Sequence, residues 1–211
     1  MKLWGLFALR LWLAVLIGAA PALAAESYAV LGQLAPAAST GSVTCTNASP
    51  MVCTLNGHGS AADDQFQFTV GTAPTGTSLG TSYFIISAGL TANNFELSTT
   101  RGGTAINSSS TGSGLTGVFY HQLYTPSGSN SAVLSSMHVC NWSASVNDSV
   151  RIAVSPGRAA LAAKNFVSFG TAVPFGDCIY PPAMTMANTD GLYVYSANGT
   201  TSFSVFGAEE N

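Results

Sequence analysis

An all-β fold, a sandwich of the jelly-roll kind, is predicted for this chain of 211 residues. Period-two alternation of apolar and polar residues recurs after about residue 26, the spacing that gives a strand one buried and one open face. Turn clusters of Gly, Ser, Thr, Asn and Pro interrupt it at short, regular intervals, the punctuation of sandwiches and jelly rolls. No stretch of useful length carries the apolar spacing of an amphipathic helix.

In chain order, the first element is a targeting segment, residues 1–24. Lys2, the apolar run Leu11 to Ala20, Pro21 and the small-residue site Ala22-Leu23-Ala24 give the layout of a secretory signal with cleavage between Ala24 and Ala25. Arg10 divides the apolar stretch, which is shorter than the about 20 residues a spanning helix needs. No later run approaches that length, so no membrane span is expected after cleavage.

Downstream, Gln65-Phe66-Gln67-Phe68-Thr69-Val70 places Phe66, Phe68 and Val70 on one face and polar residues on the other. Val150 to Val154 and Phe203 to Phe206 repeat the pattern with less polar outer faces. Thr72 to Gly80, Arg101-Gly102-Gly103, Asn107 to Gly114, Pro126 to Asn130 and Asn188 to Gly191 read as turns, because Asn and Asp cap turns through their side chains and Gly supplies positive φ. Ala159 to Lys164, where Ala and Leu accumulate, is the one place where a short helical turn is expected.

Charge narrows the function classes. The chain has 6 basic residues, and cleavage removes Lys2 and Arg10, leaving Arg101, Arg151, Arg158 and Lys164 against 9 acidic residues. No basic stripe exists to neutralise phosphates, so nucleic acid is not a partner. Hydroxyls and amides hydrate the surface, and few lysines stand on strand edges to discourage strand addition. Packing against copies of itself, as a homo-oligomer in a structural role, follows as an expectation.

Cys45, Cys53, Cys140 and Cys178 are even in number behind an export signal, which favours disulfides. Eight residues separate Cys45 from Cys53, as across a hairpin, leaving Cys140 for Cys178. Free thiols and a four-thiolate zinc site are the alternatives, the latter disfavoured by the lack of paired C-x(2–4)-C knuckles. His58, His121 and His138 are in no metal-ligand spacing. Asp63-Asp64 and Asn188-Thr189-Asp190-Gly191 lack the calcium-loop register. No G-x-S-x-G elbow, and no serine at a strand-to-helix turn with an acid and a histidine downstream, is read in the chain. Tyr120, Tyr124, Tyr193 and Tyr195 could stack on sugars, but in alternating strands they read as packing. No catalytic residue, metal or cofactor is implied, and the sequence identifies no ligand-binding residue.

Two stretches carry a resemblance. Gln122-Leu123-Tyr124-Thr125-Pro126, Val139-Cys140-Asn141, Val150 to Val154, Tyr193-Val194-Tyr195-Ser196 and Phe203 to Glu209 resemble a β-sandwich module of tailed-phage virion and tail-fibre proteins. In that module an opening strand like Tyr28 to Ala38 is followed almost at once by the Leu-Tyr-Thr strand; here the continuation waits until about Val118. The segment between, from Gly57-His58-Gly59 through Gly80-Thr81-Ser82-Tyr83-Phe84 to Gly112-Ser113-Gly114, resembles a second phage-associated β unit. The resemblance implies a discontinuous host domain, residues 25–41 plus 115–211, interrupted by an inserted small β-sheet domain, residues 42–114. It transfers architecture and a structural setting, not catalytic residues.

The expected function is that of an exported, non-enzymatic structural or adhesive protein of the periplasm or cell surface. It either self-assembles or presents the inserted domain to a surface glycan or protein partner. A phage virion decoration or fibre component is the first alternative, and a lectin-like protein or carbohydrate-active enzyme the second.

Overall fold

The computed structural model describes residues 28–210; the signal segment and its Ala24–Ala25 cleavage site lie outside them. The chain forms β1 (Ala29–Leu34), β2 (Thr40–Ser42), β3 (Thr44–Cys45), β4 (Val52–Thr54), β5 (Gln65–Thr72), β6 (Ser82–Ile86), β7 (Asn94–Ser98) and β8 (Ser113–Tyr124). Then follow β9 (Ser131–Asn141), β10 (Asp148–Ser155), β11 (Phe166–Val173), β12 (Cys178–Ile179), β13 (Met184–Met186), β14 (Gly191–Ser196) and β15 (Thr201–Glu210).

These strands make two antiparallel sheets, the all-β sandwich expected. One has the order β1-β15-β9-β12, with β13 also on β9; the larger runs β11-β10-β14-β8-β5-β6-β7-β4-β3, with β2 beside β8. Strand β8 holds the larger sheet together. Its residues from Ser113 to Tyr120 pair with β5 on one edge, while β2 and then β14 occupy the other. The division expected between residues 114 and 115 therefore falls inside one continuous strand.

Alternation along the strands sorts the apolar side chains into three buried groups. Leu134, Val139, Phe203 and Val205 of the smaller sheet meet Val150, Ile152, Leu192 and Val194 of the larger. Phe66, Phe68, Ile85, Phe95 and Phe119 form a second core near Cys45 and Cys53. Tyr120, Tyr193 and Tyr195 pack with Leu161 on the far face of β8 and β14. All four singled-out tyrosines are buried, Tyr124 included.

Three local expectations are corrected. Val70 is 57% exposed, because the β5–β8 register shifts between Phe68 and Val70 and turns it off the core face. The helical turn expected at Ala159 to Lys164 is displaced to its ends: single 3-10 turns at Pro156–Arg158 and Ala163–Asn165 flank an extended piece. That piece lies over Gln65, whose amide donates to the Ala159 carbonyl at 3.0 Å and accepts from the Leu161 N–H at 2.7 Å. The supposed open face of β5 is thereby covered at Gln65, while Thr69 further along it stays exposed.

Both expected disulfides are present. Cys45–Cys53 joins register partners on β3 and β4, and Cys140–Cys178 joins partners on β9 and β12. Such bonds fit an oxidising compartment, periplasmic or extracellular. Among the described residues no helix is long and apolar enough to cross a membrane.

Asp148 ties the start of β10 to the β14–β15 turn. Its buried carboxylate accepts from the Ser196 hydroxyl, the Thr201 hydroxyl at 2.7 Å, the Asn198 N–H at 3.0 Å and the Ser149 N–H at 2.8 Å. Burial by itself would raise its pKa, but the Ser196 and Thr201 hydroxyls and the two amides outweigh that and hold it below the ordinary carboxylate value. Asp148→Asn leaves several of these donors without an acceptor and should cost about 3 kcal/mol at neutral pH. Because the folded pKa is depressed, this stability is present above the unfolded value near pH ~4 and lost as pH falls through the folded one. Urea titrations of both proteins should therefore converge on acidification; a pH-independent gap would rule the carboxylate out as the cause.

Candidate functional site

The most open chemistry lies on the outer face of the five-stranded sheet. Alternation that sends Met137, Val139, Phe203 and Val205 inward sends Ser136, His138, Cys140, Ser204 and the Phe206 ring outward. The β12–β9 register pairs Cys178 with Cys140 and Ile179 with Val139. One step further brings Tyr180 against His138.

The rings form a row across three strands. His138 lies edge-on to Tyr180 at 5.1 Å and tilted against Phe206 at 5.2 Å. Phe206 pairs in register with Val30, which is 51% exposed. The Tyr28 hydroxyl is 3.2 Å from that of Ser136, and Tyr180 is 69% exposed. Asp, Glu, Lys and Arg are absent from this row. His138 and Tyr180 are exposed and Phe206 is half-buried, and rings already packed on one another lose little conformational freedom when something packs on them.

The other two histidines are inside. His121 donates from Nδ1 to the Asp64 carboxylate at 3.0 Å, and the second oxygen of Asp64 accepts from the Gln122 N–H at 2.7 Å. This pair closes the seam between β5 and β8 and is shut off from solvent. His58 stacks on Phe119 at 5.5 Å and meets Phe95 edge-on at 5.3 Å. Burial holds its ring below the usual imidazole range, against the opposing pull of the Asn94 and Thr91 carbonyls. A turn histidine thus serves as an aromatic core residue, which its glycine neighbours did not signal.

The acidic pairs read as turn chemistry behave as such at Asp190, which accepts from the Ala187 and Gly157 N–H groups. Asp64 likewise accepts from the Ala61 N–H at 2.9 Å, although it is buried, and Asp63 is paired with Arg101. Among the described residues no group of three or more His, Cys, Asp or Glu is placed to hold a metal ion. Gly76-Thr77-Ser78-Leu79-Gly80 does have the letter spacing of a nucleophile elbow, which the reading of the sequence passed over. It lies in the β5–β6 connection, where a strand follows instead of a helix, and Ser78 offers its N–H to the Tyr83 hydroxyl at 2.8 Å.

The chain matches no family model, no curated protein and no solved structure. Its function has to be argued from its own surfaces.

His138, outside any metal-ligand spacing, and Phe206, in an alternating strand, carry no sequence signal of a shared surface. Tyr180 follows a two-residue strand too short to show alternation. Its one available signal was Cys178: two residues beyond a cysteine paired with Cys140, an antiparallel register places Tyr180 opposite His138.

Proposed function

We propose that this is an exported, non-enzymatic structural protein of the periplasm or cell surface that works as an assembly of its own copies. The carrying observation is the open, uncharged aromatic row of Phe206, His138 and Tyr180 on the five-stranded sheet. Contiguous exposed apolar surface of this kind marks interaction sites. With no fixed charge in the row, two identical faces meet without the like-charge repulsion that opposes self-association. Ser136, Ser204 and Gln33 supply a polar rim able to hydrogen-bond. The two disulfides support the exported setting.

Light scattering on the mature chain, from low to high micromolar concentration, tests this reading. The chain should run as an oligomer that His138→Glu or Phe206→Ser converts to monomer with an unchanged far-UV circular dichroism spectrum. A wild-type monomer at every concentration, or oligomers indifferent to both substitutions, would sink the proposal.

A further inference from the structure

On the other side of the molecule, a cavity of about 220 Å³ opens where the β5–β6 hairpin, β8, the covering loop and β11 meet. We infer that this cavity is a binding site for a single pyranose ring, the terminal or branch sugar of a surface glycan. It is independent of the aromatic row and of the assembly proposed for it.

The aromatic wall is built by register. Arg151 on β10 pairs with Phe169 on β11 and with Tyr195 on β14, so its guanidinium lies between two rings, 4.3 Å and 4.5 Å from their centres. Its Nη1 also donates to the Tyr120 hydroxyl at 2.7 Å. Phe166 meets Phe169 edge-on at 4.9 Å. Phe169 is thus held from behind although 63% exposed, and together with Tyr120 and Phe166 it lines the cavity. An exposed ring fixed in place is what the apolar C–H face of a sugar stacks on.

Opposite that wall stands unspent polar chemistry. Ser82, only 4% exposed, lines the cavity with its hydroxyl unpartnered. Native proteins rarely leave a buried hydroxyl unpaired, since the lost hydration is then not replaced. Gln67, beside it, donates its amide to the Gly80 carbonyl, which fixes the side chain and leaves its oxygen free to accept. One unpartnered hydroxyl and one amide oxygen on residues that share a lining with aromatic rings suit a ring that is apolar on one face and hydroxylated at its edge. The volume is below the about 300–1,000 Å³ of pockets for drug-sized ligands, which restricts the occupant to one ring.

Free glucose, galactose, mannose and N-acetylglucosamine are the probes, titrated separately into the mature protein and followed by ligand-observed NMR with saturation transfer and by calorimetry. At least one should saturate in the millimolar range. Phe169→Ala should weaken it about tenfold and Ser82→Ala about threefold to tenfold, while Phe169→Trp keeps it and His138→Glu leaves it unchanged. Thermal melts of each variant show whether the fold is intact. No saturable binding of any probe, or binding that survives both Phe169→Ala and Ser82→Ala in folded protein, overturns the inference. The oligomer measurements move independently of either result.

Discussion

Replacing Phe66 by alanine is expected to lower stability by about 3–5 kcal/mol, the range for deleting a fully buried phenylalanine. Its ring has no exposure and lies 4.7 Å from Phe68, 5.0 Å from Phe95 and 4.9 Å from Phe119, centre to centre. Gly117, facing it from β8, shows how little slack there is: a Cβ there would come within 2.2 Å of the Phe66 ring. Gly117→Ala should accordingly destabilise the wild-type protein by overpacking, yet be tolerated in the Phe66→Ala background, where the added methyl enters the cavity. A double-mutant cycle read by urea denaturation tests both statements. Additive effects would mean that the ring and Gly117 do not share the space.

The second large effect is expected from the disulfide that closes the longer loop. Cys140 and Cys178 are 38 residues apart, and the chain-entropy relation assigns such a crosslink about 4 kcal/mol, against about 2.5 kcal/mol for the 8-residue separation of Cys45 and Cys53. Cys140→Ser with Cys178→Ser should therefore lower the melting temperature more than the Cys45 and Cys53 pair of substitutions. The opposite ranking in calorimetry would show that native packing around β3 and β4, and not loop length, sets the contribution.

How far the sequence foretold this molecule depends on how local each signal is. Strands β10 and β15 were legible because Val150, Ile152, Phe203 and Val205 alternate with other residues over several positions, and the sheets bury those faces. Cys45 and Cys53 were legible because a hairpin brings an eight-residue spacing together. Val70 was misread because a register shift is set by the partner strand, not by β5 itself.

Gln65 looked like an outward polar position, and nothing near Asp64 or His121 in the sequence pointed to their pairing. They are buried because a distant loop and a neighbouring strand supply their hydrogen bonds. The two candidate surfaces were the least legible of all. Tyr180 meets His138 through a pairing between strands distant in the chain, and Phe169 meets Arg151 through a β10–β11 register that shifts twice; apart from Cys178, nothing in the local pattern announces these contacts.

The Cys140–Cys178 bond has a consequence beyond stability. Strand β12 is two residues long, and the crosslink is the only covalent tie that keeps Tyr180 in step with His138. While those thiols are reduced, inside the cell that makes the chain, the outer row lacks this clamp. On the proposed reading, oxidation after export completes it, so copies become sticky only once they have reached the compartment where sticking is useful, and one covalent bond acts as the timer that keeps newly made chains apart.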